Sequence, residues 1–329
     1  MKRVNFITIL FLAGLAGLPF SVSALTVSPP RIEITGDPGR TIAGTYFLIN
    51  EEADTRTFYS SFANFEASGE SGVPKFLETR EGLAVWLETQ PSITLEPREE
   101  REVPFIIKIP QNAEPGGHFA AIFWGTAPPQ PTAGGDQVSI GGKVGILVLL
   151  RVSGAIEEKG GLLEFAAKDG KRVFTFLPIE FIWRFRNDGG NRVQPEGEIT
   201  IKNTFGLTTA KLPANKGLGG VLPASIRKFS VPWLAEGAVA IVEQDTGFFA
   251  AVKNQWSEFH FGWYRAYLNL QYADGGETQA KLSFNFWIIP WQLLSIIIVI
   301  LAIVGFLGFI GLKKYNRWII SKAVQIQNK

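Results

Sequence analysis

The stretch from Trp291 to Leu312 constrains this chain most: it carries no ionisable residue and runs straight into Lys313, Lys314 and Arg317. At about 1.5 Å of rise per residue, roughly 20 apolar residues in a helix cross a hydrocarbon layer about 30 Å thick. Trp287 and Trp291 stand where the run begins, and indole rings favour the membrane–water boundary. Basic residues after a span resist translocation. The expected layout is therefore a single-pass protein of the cell membrane. The portion before residue 290 lies outside as an ectodomain, a transmembrane helix covers 289–312, and a basic tail over 313–329 lies in the cytoplasm.

A second apolar segment opens the chain. Lys2 and Arg3 precede a run from Phe6 to Phe20, and Val22-Ser23-Ala24 offers small residues for cleavage. Residues 1–24 read as a secretory signal peptide, the alternative being a retained anchor, for which the run is short. Charge follows the same division. All 30 acidic residues fall between 25 and 288 with 25 basic ones, net −5, while 313–329 carries +5. An acidic outer portion gives no footprint for nucleic acid, and the basic tail suffices as a stop-transfer anchor.

Cysteine is absent, which excludes disulfide-stapled folds, thiolate metal sites and cysteine nucleophiles. The two histidines, His118 and His260, are far apart, and no Gly-x-Ser-x-Gly elbow accompanies them. Glu96 to Glu102 holds four carboxylates, but Arg98 and Arg101 interleave them and the side-chain spacing of a calcium loop is missing. A solvated turn is the expectation there. No catalytic residue, metal or cofactor is expected, and an enzyme is the least favoured class.

Between the two apolar segments the pattern is strand. Val103, Phe105, Ile107 and Ile109 alternate with Pro104, Ile106 and Lys108, and Leu282, Phe284 and Phe286 alternate with Ser283, Asn285 and Trp287. No outer window of 12 or more residues keeps apolar residues at helical spacing. Strands are expected near 26–35, 41–50, 55–66, 82–89, 101–109, 117–126 and 142–153, then near 162–167, 171–187, 196–203, 206–213, 226–233, 259–272 and 278–287. Seven short strands per unit predict an all-β chain of two tandem immunoglobulin-like β-sandwich domains, over 25–154 and 155–288, joined by a Gly-rich hinge at 154–161. A jelly roll or one continuous barrel is the alternative. Trp86, Phe105, Phe123 and Trp183 have the size to fill a sandwich core about 10 Å thick.

Ser28-Pro29-Pro30-Arg31-Ile32-Glu33-Ile34, Asp37-Pro38-Gly39 and Asn50-Glu51-Glu52 resemble the opening of the WxL-interacting bacterial surface proteins. The likeness continues through Trp86-Leu87, Leu95-Glu96-Pro97, Val103-Pro104-Phe105, Ile109-Pro110 and Glu114-Pro115-Gly116-Gly117, and covers about residues 25–154. Phe185 to Gly197, Pro223 to Phe229 and Phe261-Gly262-Trp263-Tyr264 resemble the second immunoglobulin-like domain of such single-span exported proteins. The resemblance implies a peptidoglycan-binding first domain. Its motifs are strand and turn residues, so no ligand residue is carried over.

Two insertions stand apart from the scaffold. Thr126 to Gly142 contains Pro128, Pro129 and Pro131, the candidate partner contacts; Leu234 to Ser257 contains Phe248, Phe249 and Trp256, the candidate membrane contacts. Connections longer than about 15 residues are usually functional or disordered. Strand parity sends the first insertion to the membrane-distal end of its domain and the second to the membrane-proximal end. There the aromatics either lean on the bilayer or fold back as a satellite core. The functional expectation is a membrane-anchored, non-enzymatic surface protein binding cell-wall glycan or another surface protein. The alternatives are an accessory subunit of a membrane or secretion complex and, last, a wall-active enzyme.

Overall fold

Burial alternates residue by residue along the long strands, and the computed structural model turns that alternation into two pairs of facing sheets. It describes residues 25–77, 79, 81–128, 142–235, 237, 247–272 and 278–327. The expected signal peptide, Pro129 and Pro131 lie outside the described residues. The chain divides into two compact units.

The first unit opens with β1 (Leu25–Ser28), β2 (Arg31–Gly36), β3 (Thr41–Asn50), β4 (Arg56–Ser68) and β5 (Val73–Leu77). It continues with a single turn α1 (Leu83–Trp86), β6 (Leu87–Thr89), β7 (Ser92–Leu95), β8 (Glu100–Lys108), β9 (Gly116–Gly125) and β10 (Lys143–Val152). One sheet runs β1-β3-β8-β6; the other runs β2-β10-β9-β4-β5, with β7 added on β4. Val103, Phe105 and Ile107 of β8 point inward, as their spacing requires. Across the core the Trp124 indole N–H donates to the Tyr46 hydroxyl at 3.0 Å, Tyr46 to Thr89 Oγ1 at 3.1 Å, and Thr89 to the Pro104 carbonyl at 2.7 Å. Every polar atom of that relay is thus satisfied although both large rings are fully buried. Burial raises the Tyr46 pKa above its ordinary value.

Asn50 ends β3 with no exposure at all. Its Nδ2 donates to the carbonyls of Asp54 (2.9 Å) and Glu96 (2.9 Å), and its Oδ1 accepts the Glu52 N–H at 3.1 Å. The turn after β3 and the Glu96 turn thus meet on one amide. Asn50→Ala leaves buried groups unpaired and is expected to cost about 2–3 kcal/mol, read as a lower denaturation midpoint of the first unit. At the Asp37-Pro38-Gly39 turn, Gly39 has φ +76 and a Cβ there would lie 2.1 Å from Gln111 Oε1, so only glycine fits.

The second unit contains β11 (Gly160–Ala167), β12 (Val173–Phe174), β13 (Ile179–Asn187), β14 (Glu196–Lys202), β15 (Thr208–Pro213) and β16 (Ser225–Trp233). Then follow α2 (Phe248–Ser257), β17 (Gly262–Tyr272), β18 (Thr278–Ile288) and α3 (Trp291–Gln327). The sheets are β11-β13-β16 and β12-β18-β17-β14-β15. Trp183, fully buried on β13, stacks on Phe229 of β16 with centroids 3.9 Å apart and donates its indole N–H to the Ala214 carbonyl at 3.1 Å. Both units are immunoglobulin-like β-sandwiches.

Several expectations are corrected. The strand expected over 26–35 is two strands in different sheets, because Pro29 and Pro30 lack ladder donors and the chain changes sheets there. The 171–187 strand is likewise β12 and β13, broken before Pro178. Residues 82–89 hold α1 and β6 rather than one strand, and β5 and β7 are additional. Phe123 does not fill the core: alternation along β9 gives the inward places to Ile122 and Trp124. Phe123 lies on the other face, edge-on to Phe76 at 4.8 Å. Trp86 is half-buried but does pack against the core, with its ring 4.7 Å from that of His118. The insertion before β17 holds a helix, α2, and α3 does not stop at Leu312 but continues to Gln327.

Candidate functional site

Three elements converge where the second unit meets α3. The strand β18 ends at Ile288, and after Ile289 and Pro290 the chain is already helical at Trp291. Proline suits the position just before a helix, since its missing N–H would go unpaired there. The first turn of any helix leaves N–H groups without intrahelical partners. Here α2 supplies one from outside: the Leu293 N–H donates to Gln255 Oε1 at 2.9 Å, and Gln255 Nε2 donates to Gln292 Oε1. Gln255 is completely buried, with Ala251 one turn before it on the same inward face. Gln255→Leu keeps the volume and strands the Leu293 donor. It is expected to cost about 1–3 kcal/mol locally and to speed amide exchange at Leu293 roughly tenfold or more.

The opposite face of α2 presents Phe249 (80% exposed) and Trp256 (72% exposed), with Lys253 between them at helical spacing. Phe248 is 41% exposed, edge-on to Phe249 at 5.5 Å and to Trp291 at 6.1 Å. These three aromatics therefore do not form a satellite core. Phe259, Phe261 and Trp287 are exposed at the same end, beside the start of β17 and the end of β18. The turn between β14 and β15 joins them. There Thr204 Oγ1 accepts the Trp263 N–H at 3.0 Å and donates to the Trp263 carbonyl at 2.9 Å, fixing the turn to the first residues of β17. Gly262 allows that approach: its φ is +111, and a Cβ would stand 2.8 Å from Thr204 Oγ1. Sequence reasoning missed Phe205 and Leu207 in this turn, which no periodicity marks.

From Trp291 to Ile319 the helix α3 is long and apolar enough to cross a membrane: its most apolar 18 residues have mean hydropathy 3.1, and 6% of them are buried. It is the one such helix among the described residues.

Pro128 is exposed just after β9. Only Glu96 to Glu99 forms the turn, Glu100 to Glu102 being the start of β8; Glu99 accepts the Glu96 N–H at 2.7 Å and pairs with Arg101, and these hold its pKa below the ordinary carboxylate value. Among the described residues no three of His, Asp and Glu gather as a cation site. His118 Nε2 lies 2.8 Å from the Glu114 carbonyl oxygen; His260 packs edge-on against Trp233 at 5.2 Å. A hollow of ≈ 750 Å³ on the outer face of the five-stranded sheet is lined by Glu198, Lys211, Asn269, Gln271 and Lys281, with no aromatic ring for stacking a sugar.

No family model matches the sequence, and no curated protein matches it. Among solved structures it is similar to the class 5 fimbriae chaperone CfaA, with 10% identity over 80% of this chain and 99% of that one, at a TM-score of 0.37. The CsuC–CsuE chaperone–tip adhesion subunit complex of Acinetobacter baumannii matches at 12% identity over 63% of this chain and 90% of that one, TM-score 0.33. The Salmonella enterica SafA pilin–SafB chaperone complex matches at 12% identity over 81% and 97%, TM-score 0.34. The fold stands on its own sheets, and these likenesses add no function to it.

Proposed function

We propose that this chain is a single-span, non-enzymatic surface protein. Its two sandwiches stand outside the membrane, the tail after the span lies inside, and the first unit takes cell-wall glycan or another surface protein as its partner. The observation that carries the reading is the junction at Ile288–Trp291, where a core strand passes into an apolar helix capped by Gln255. The net charge of −5 before the span and +5 after it supports the orientation. The sequence resemblance over 25–154 supports the partner class.

The experiment is protease treatment of intact cells carrying an epitope after Lys329, paired with capture of the detergent-solubilised full chain on purified sacculi. The expected result is loss of the outer portion, survival of the epitope, and retention on sacculi. Protection of both ends overturns the topology. Failure to bind sacculi together with co-purification of a multi-span complex favours the accessory-subunit reading instead.

A further inference from the structure

We infer that the α3 end of the second unit is immersed in the headgroup layer of the bilayer, with the Phe205-Gly206-Leu207 turn and the Phe249–Trp256 stripe as its lipid contacts. This rests on the reading that α3 spans the membrane.

The first argument is where the exposed rings lie. Phe205 is 85% exposed and Leu207 65%, against a core in which aromatic side chains of this unit are almost wholly covered. Among the described residues of the second unit before Trp291, every exposed aromatic falls at this one end; the exposed apolar residues elsewhere, such as Leu163 and Leu218, are aliphatic. Singly exposed apolar residues need no explanation, whereas a cluster around the root of an apolar helix does. Phe and Trp at that level match the belt that aromatic side chains form at membrane interfaces.

The second argument is independent and concerns the backbone. A turn entering a water-poor layer must satisfy its own polar groups, since each unpaired one is costly there. This turn does. Asn203 Oδ1 accepts the N–H of Phe205 at 3.0 Å and of Leu207 at 3.1 Å. The Asn203 N–H donates to the Leu207 carbonyl at 3.0 Å, the Gly206 N–H to the Asn203 carbonyl at 2.9 Å, and Thr204 Oγ1 is bonded on both sides to Trp263. The apolar tips point outward from a loop with no donor of residues 205–207 left for water.

The third is charge. Lys253 sits between Phe249 and Trp256 on the exposed face of α2, and the Arg265 guanidinium lies 4.8 Å over the Trp263 ring. Long basic side chains beside interfacial aromatics keep their heads among lipid phosphates while their stems cover apolar surface.

The absence of cysteine makes the test direct. Full-length single-cysteine variants Phe205→Cys, Ile298→Cys and Lys216→Cys carry an environment-sensitive fluorophore in nanodiscs of phosphatidylethanolamine and phosphatidylglycerol with brominated acyl chains. Lys216 lies in the exposed loop after β15, at the opposite end of the same unit. The expected result is strong lipid quenching at 298 and 205 and none at 216. Quenching at 298 without quenching at 205 overturns the immersion and leaves the span intact. No quenching at 298 overturns the span itself. A label at 205 shielded from aqueous iodide yet unquenched by lipid assigns this surface to a protein partner, and that too overturns the inference.

Discussion

Replacing Trp183 by Ala is expected to remove about 3–5 kcal/mol from the second unit, which lowers its melting temperature by roughly 10 °C or more. The indole stacks on Phe229 and is wholly buried, so its loss opens a cavity between the two sheets. It also leaves the Ala214 carbonyl without the indole donor at 3.1 Å. Trp183→Phe separates the two effects: most of the packing volume returns, and the remaining deficit, about 1–2 kcal/mol, reports the lost hydrogen bond and stacking area. Calorimetry of the full chain in detergent is the measurement. Because each unit has its own core, the transition of the first unit should keep its midpoint. A shift of both transitions would show that the units melt as one.

Ending the chain after Pro290 is expected to change its fractionation completely. The full chain should sediment with membranes and resist extraction by high salt or carbonate; the truncated one should not, since the stretch of mean hydropathy 3.1 is gone. The truncation also removes Gln292 and Leu293, the partners of Gln255, and leaves Phe249, Trp256 and Phe205 bare. Such a patch drives self-association in water. The released form is therefore expected to elute as a concentration-dependent oligomer, and a Phe205→Ser, Phe249→Ser double variant should return it toward the monomer. A truncated chain that stays with the membranes would assign the attachment to the ectodomain rather than to α3.

How much of this was legible beforehand differs from element to element. β8 and β13 declare themselves, because every second residue is large and apolar and one face of each sheet must be buried. The two-sandwich plan follows from such strands and the turns between them. β5 and β7 do not, being five and four residues long, too short for any period to rise above noise. α2 escapes for another reason: the residues it buries are Ala251 and Gln255, and neither registers as part of an apolar stripe. Phe123 and Trp124 are neighbours of similar character, and only the pairing of β9 with its partners decides which one faces inward. Of the candidate contacts, Phe248, Phe249 and Trp256 were visible as costly aromatics in a long insertion. Phe205 and Leu207 were not, because a pair of apolar residues in a short turn looks like scaffold until the fold shows that nothing covers it.

The passage of β18 into α3 has a mechanical side. β18 is paired over its full 11 residues with β17, and β12 adds two residues on its other side, at Trp287 and Ile288. Tension between a bound partner and the membrane would load that strand along its own axis. The antiparallel ladder is then pulled in shear, with many hydrogen bonds resisting together instead of opening one after another like a zip. With only Ile289 and Pro290 between strand and helix, there is no slack to stretch first. A chain tethered through α3 would load the β17–β18 ladder from the first ångström of pull.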